Sequence, residues 1–319
     1  MSIITTGDIP SLLRPGLDEV GVDYARYKGE YAKVFEKFKS FKNEEIDVDI
    51  KNTGYALEKR QGSPIEMDSM GQRFIYQFIH REFALGFQIT NIAIEDDLYA
   101  DKFYNGTKSL TTSYEQTREV MAMNVFNQAF NSAVPIGDGK SLCSNAHPYD
   151  GGTYSNLVGD GVTAVDFSEA GVEQAVILAG RLKDQAGLLI NASIEKLLLP
   201  QELMFSGCRL LESVFRTGTA NNDINAIYNM NAIPQGYIYN HYLTSPTSWF
   251  GLTNIKNTRK HFVRRPLKIN VSTDPVTETM SVLSSGRYSF GVLCRFLKTV
   301  QNCLPKMLSC NEWPGMSGL

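Results

Sequence analysis

The chain lacks most of the features that announce a function. Its 31 lysines and arginines stand against 34 acidic residues, a net charge of -3. The basic excess of a dedicated nucleic-acid binder is therefore missing. No apolar run approaches the roughly 20 residues of a membrane span, so no membrane association is expected. The opening MSIITTGDIP has neither a basic start nor an apolar stretch, so no secretory signal is expected either. Cysteine is sparse, an odd and scattered set of Cys143, Cys208, Cys294, Cys303 and Cys310. That pattern excludes a disulfide framework and points to reduced thiols. The last three are too widely spaced for a zinc knuckle, and no histidine follows His261. No metal and no cofactor is expected.

Proline is absent between Pro64 and Pro135, so nothing there forces a backbone break. Within that stretch the run 107–130 carries Leu110, Tyr114, Thr117, Met121 and Val125 at helical steps, widened by Ala122, Phe126, Ala129 and Phe130. Glu115, Arg118 and Glu119 lie off the stripe, with Arg118 in helical reach of Glu115. A shorter piece, 90–104, opens on Thr90 and carries Glu95, Asp96 and Asp97 early, which suits a helix N-terminus. Asn105-Gly106 separates the two, so the pattern predicts a short helix, a kink and a long spine helix.

Elsewhere the signals are mixed. Residues 1–23, with Gly7, Pro10, Pro15, Gly16 and Gly21, read as an extended arm. Residues 24–42 set Tyr24, Tyr27, Tyr31, Phe35 and Phe38 at helical spacing. Such a helix either docks on a neighbour or lies amphipathic on its own core. Ile46 to Ile50 alternates like a strand, and 51–63 is polar, so 44–68 reads as a long charged hairpin. A hairpin with so little apolar surface is marginal by itself. Residues 73–87 predict one or two core strands closed by Gly86. A glycine-rich loop fills 134–165. Helices are expected over 167–183 and 201–215. Strands are expected at 197–199, 237–242, 249–252, 267–271, 281–283 and 288–296. Strands and helices alternate, which gives a mixed α/β or α+β fold.

No motif carries catalysis. Gly137-Asp138-Gly139-Lys140-Ser141 ends like a phosphate loop, but Val134 stands where that motif needs glycine. Cys143 and His147 share a loop, yet a cysteine hydrolase needs a third, orienting group that the sequence does not reveal. The loop reads as structural. Lys256, Arg259, Lys260, His261, Arg264 and Arg265 form the one dense basic cluster. It faces nucleic acid, forms a solvated turn, or pairs with acids on a neighbour.

Phe83-Ala84-Leu85-Gly86-Phe87-Gln88-Ile89-Thr90 followed by Ile94-Glu95-Asp96-Asp97-Leu98-Tyr99 resembles the segment before the spine helix in tailed-phage major capsid proteins. Further marks agree in order. They are 142–148 (LCSNAHP), 187–190 (GLLI), 197–200 (LLLP), 222–225 (NDIN), Trp249-Phe250 and 287–292 (RYSFGV). The resemblance spans about residues 40–300 and is nearest to the Mu-like major head subunits, which carry the Hong Kong 97 type fold.

The resemblance implies an α+β chain with an N-terminal arm (1–43) and an extended loop (44–71). It further implies a peripheral domain with the spine (72–136 and 255–300), an axial domain (137–254) and a C-terminal tail (301–319). It implies a structural protein, not an enzyme, that assembles with itself into pentamers and hexamers. These form an icosahedral virion shell around double-stranded DNA, held without sequence specificity. Assembly in the host cytoplasm and contacts with portal, scaffold and decoration proteins are implied too. The shell of a cargo-enclosing nanocompartment is the alternative function. On the loop, Lys51, Glu58, Lys59, Arg60 and Glu66 are the expected intersubunit contacts.

Overall fold

The computed structural model describes residues 29–90, 92, 100–159, 165–216, 223–293 and 297–300. The expectations for the arm before residue 29, the acidic stretch 94–99 and the tail 301–319 lie outside the described residues. In chain order the strands begin with β1 (Glu36–Lys39), β2 (Glu44–Lys51), β3 (Gly71–Ile79) and β4 (Arg81–Thr90). Helix α1 (Ala100–Asn127) follows, then β5 (His147–Tyr149), β6 (Gly152–Tyr154), α2 (Glu169–Gly180) and β7 (Ile194–Pro200). The rest are α3 (Met204–Leu211), α4 (Ala226–Asn229), β8 (Tyr237–Asn240), β9 (Trp249–Thr253), β10 (Arg259–Asp274), β11 (Thr279–Val292) and β12 (Leu297–Val300).

The chain divides into two units. The first holds Met1–Val48, Ile75–Phe126 and Arg259–Val292, and the second Asp49–Phe74, Asn127–Thr258 and Leu293–Leu319. The sheet of the first unit runs β1-β10-β11-β4, with β1 parallel to β10 and the other pairs antiparallel. The strand signals expected at 281–283 and at 288–296 fall on the single strand β11, which ends at Val292. Pairing with β4 carries β11 through Ser284 to Gly286 without a break. Likewise Gly86 does not close β4 but pairs with Leu283 in mid-strand. Gly291 marks a close approach, since a Cβ there would sit 1.9 Å from the Phe78 ring.

Helix α1 has 28 residues, about 42 Å at 1.5 Å per residue. The expected interruption is absent, because the helix is continuous through Asn105-Gly106. Gly106 makes room instead, because a Cβ there would lie 3.3 Å from the Phe87 ring. Thr90 is the last residue of β4. The buried face is Leu110, Tyr114, Glu119, Ala122, Met123 and Phe126. Thr117, Met121 and Val125 are only half-buried, so the stripe is rotated from the expected one.

The rotation has a cause in the arm. Residues 29–42 do not form the expected helix. Tyr31–Lys33 is a 3-10 turn, and β1 then takes the free edge of β10. Glu119 accepts the Tyr31 backbone N–H at 2.9 Å, and Arg118 donates to the Tyr31 hydroxyl at 2.9 Å. The expected Arg118–Glu115 pair forms as well, at 3.1 Å.

The second unit packs α2 on the sheet β12-β9-β7-β8, with Val172, Ala175, Ala179, Ile194, Leu197, Leu199 and Trp249 in its core. Ser168 caps α2 by accepting from the Gly171 N–H at 3.2 Å. The expected 201–215 helix is a 3-10 turn over Gln201–Leu203 followed by α3, which ends at Leu211. Buried Asn225 caps α4 and also donates to the carbonyls of Leu210 and Ser213, tying that short helix to the end of α3.

Candidate assembly interface

Strands β2 and β3 pair as a two-stranded ribbon, and their far ends lie in the second unit. The alternation Ile46–Val48–Ile50 makes β2 a strand, but those apolar side chains stand exposed while Asp49 on the other face is buried. Polar bonds hold the far end instead. Lys51 Nζ lies 2.7 Å and Arg73 Nη1 2.9 Å from the two carboxylate oxygens of Asp150, in the β5–β6 turn. Gln185 donates to Asp49 at 2.8 Å, and Asn52 donates to Asp184 at 2.6 Å. The Asp150 N–H donates to the Gln185 carbonyl at 3.2 Å, which joins the two receiving turns.

Electrostatics follow the geometry. The hydrogen bond and charge of Lys51, with Arg73 behind them, hold the Asp150 carboxyl below the usual carboxylate range. The same bond raises Lys51. Further out, the Gly54 N–H crosses to Asp68 at 2.7 Å and the Ser69 N–H reaches the other oxygen at 2.8 Å. These two bonds lower the Asp68 carboxyl.

Beyond this clamp, residues 52–70 form neither helix nor strand. Tyr55, Leu57, Ile65, Met67 and Met70 all stand exposed there, Met67 to 90%. Of the expected contact residues, Lys51 is taken up by the clamp within its own chain. Glu58, Lys59, Arg60 and Glu66 stand exposed on the loop. Sequence reasoning missed Arg73, Asp68 and Asp150. Asp150 lies 77 positions from Arg73, and no local pattern links the two.

The other candidates are placed differently. His147 is fully buried, with Nδ1 2.6 Å from Asp138 Oδ2. Asp138 sits in the glycine-rich turn, whose Gly139 N–H donates to the Ile136 carbonyl at 2.9 Å. That turn supplies the histidine's partner and makes no open loop for phosphate. Cys143 is buried as well, and its N–H donates to the Ala129 carbonyl at 2.8 Å. The basic stretch does not make one patch. Arg259 and His261 are buried, Lys260 pairs with Asp47 at 2.6 Å, and Arg264 and Arg265 open on a cleft.

A family profile described as phage capsid protein matches residues 80–300. No curated protein matches the chain. Solved structures do. A structure from Mycobacterium phage Patience is 12% identical, with 94% of this chain and 92% of that one covered at a TM-score of 0.58. The capsid of cyanophage P-SCSP1u is 9% identical, with 95% and 96% covered at 0.57. A bacteriophage JBD30 capsid decorated with minor capsid protein trimers is 11% identical, with 76% and 100% covered at 0.56. At such identities the likeness is one of fold, the mixed helix and strand fold of the Hong Kong 97 type. With the profile spanning more than half its length, the chain belongs to the phage capsid protein family, a family of structural proteins of the virion.

Proposed function

We propose that this chain is the major head subunit of a tailed phage, nearest to the Mu-like group, and that it self-assembles into pentamers and hexamers of an icosahedral shell. The shell encloses double-stranded DNA without reading its sequence. Assembly proceeds in the host cytoplasm with portal and scaffold proteins. Decoration by a minor protein, as in the JBD30 capsid, is part of the same reading. The arm is 1–43, the extended loop 44–71, the peripheral domain 72–136 with 255–300, the axial domain 137–254 and the tail 301–319.

One observation carries this reading beyond family membership. Residues 52–70 hold five large apolar side chains in the open on a segment without secondary structure. Exposed apolar surface of that kind marks an interaction site. A second copy supplies the missing cover in a shell, and Glu58, Lys59, Arg60 and Glu66 flank those apolar residues as contacts to it.

The test is expression of the full chain, followed by negative-stain microscopy and extraction of nucleic acid from the phage particle. Closed shells are expected, in which deleting residues 55–67 abolishes closure while the subunit keeps its circular dichroism spectrum. Wild-type shells from the deletion variant would remove the loop from the interface.

A further inference from the structure

Three arginines of the first unit converge on an open cleft of about 390 Å³ lined by Ser40, Phe41, Glu82, Arg264, Arg265 and Arg287. Strand β10 slips register against β11 on both sides of Arg265. A bulge of this sort re-aims side chains. Arg264 and Arg265, which regular alternation would send to opposite faces, both line the cleft. Arg265 also stands directly opposite Arg287 in the ladder. Like charges so placed repel.

The guanidiniums are aimed before anything arrives. Arg264 donates to the Lys42 carbonyl. Arg287 donates from Nε to the His80 carbonyl at 3.3 Å and from Nη2 to Asn43 Oδ1 at 2.6 Å. Arg265 pairs with Glu82 and donates to Ser285 Oγ at 3.3 Å. Each guanidinium has five N–H donors, so several remain for a guest. Arg264 and Arg287 have no carboxylate partner among the described residues. Among the lining residues one carboxylate faces three guanidiniums, an excess of two positive charges; Glu45, behind Ser40 at 2.8 Å, is balanced by Lys42 at 3.8 Å.

We propose that this cleft binds a phosphate-class dianion. The charge deficit matches a group that carries nearly two negative charges at neutral pH. Converging guanidinium forks suit its several acceptor oxygens. A single side-chain carboxylate would neutralise only half the deficit. Glu82 at the cleft would repel the neighbouring phosphates of a duplex, which favours one isolated phosphate over a nucleic-acid backbone. Bound there, the anion bridges the turn after β1, β4, β10 and β11, and it relieves the Arg265–Arg287 repulsion.

The experiment titrates inorganic phosphate into the full chain near neutral pH, with chloride holding ionic strength constant. Heat of binding and thermal midpoint are read together. Saturable binding of one phosphate per chain is expected, with a midpoint that rises as occupancy rises. Arg264→Gln should weaken binding about tenfold, the scale of one charge-assisted hydrogen bond. Arg287→Gln should do the same. If that variant fails to fold, Arg264→Gln carries the test, since only one backbone contact is lost with it. Glu82→Gln should tighten binding. A midpoint shift of equal size in the wild type and in Arg264→Gln would be a general salt effect and would overturn the proposal. A short DNA duplex as competitor identifies the source. Displacement of phosphate by the duplex assigns the site to a nucleic-acid phosphate, and its failure to compete assigns free phosphate. Duplex binding with no phosphate binding in any variant also overturns the site.

Discussion

Two polar clamps in this molecule use the same chemistry in opposite surroundings. In the first unit, Arg118 and Glu119 grip Tyr31 beneath an aromatic cover of Tyr114, Tyr288, His261 and Phe290. In the second, Lys51 and Arg73 grip Asp150 at the surface. Water competes for both of these ion pairs and for few bonds of the first clamp, though the neighbouring Gln185–Asp49 bond is buried. A buried charged hydrogen bond is costly to break because its partner is left unsatisfied. An exposed ion pair is weak and screened by salt. The buried clamp therefore fixes the arm as part of the core. The exposed one holds the loop only weakly. The first should answer to pH and the second to ionic strength.

The largest expected effect comes from acid. His261 is 1% exposed and stacks on Phe290 at 4.3 Å. Burial, with Arg118 and Lys37 near, lowers its pKa to about 3. The unfolded chain takes the proton near the ordinary 6.5. Between those values the unfolded state binds more protons than the native one, so stability is lost as pH falls. The loss is complete near pH 3 and amounts to about 4–5 kcal/mol at 1.36 kcal/mol per unit. His80, also lowered by burial, acts in the same direction. Urea midpoints at neutral pH and near pH 4.5 should separate more for the wild type than for His261→Phe. Parallel lines for the two proteins would show that His261 takes its proton without cost.

Next is Glu119→Ala. It removes both oxygens that accept the Tyr31 N–H, at 2.9 and 3.2 Å, and opens space in a core position. A loss of about 2–3 kcal/mol is expected, seen as a lower urea midpoint at unchanged slope. A loss under about 0.5 kcal/mol would place the arm's anchor elsewhere and dissolve the contrast between the clamps.

The contrast also explains what could be read from the sequence. Helix α1 was legible from the proline-free period, and β2 from its alternation, because both signals are local. Glu119 lies off the apolar stripe in sequence, and only the long-range contact with Tyr31 explains its burial. The arm after residue 29 carries an aromatic helical period, yet the open edge of β10 claims it as a strand. Asn105-Gly106 looked like a break because the Phe87 ring beneath it is invisible in sequence. Lys51 was found as a charge on the loop, but its partner Asp150 was not, and the basic stretch 256–265 is sorted by strand alternation and a bulge.

The smallest effect is expected from Asp150→Asn, and it should appear away from global stability. The substitution leaves Lys51 and Arg73 without their carboxylate, but both have water to turn to. Urea midpoints should stay at the wild-type value. What changes is how often the far end of the ribbon opens, so limited proteolysis within 52–70 should quicken roughly two- to fivefold at low salt. At about 1 M salt the screening length shrinks to about 3 Å, and the two proteins should be cut at nearly equal rates. The clamp should ignore the fall from neutrality to about pH 4.5 that disturbs His261, because Asp150 is held below the ordinary carboxylate range and keeps its charge there. If Asp150→Asn lowers the urea midpoint as far as Glu119→Ala does, the surface clamp is part of the core. If its proteolysis gap persists at high salt, the loop is held by packing and not by charge.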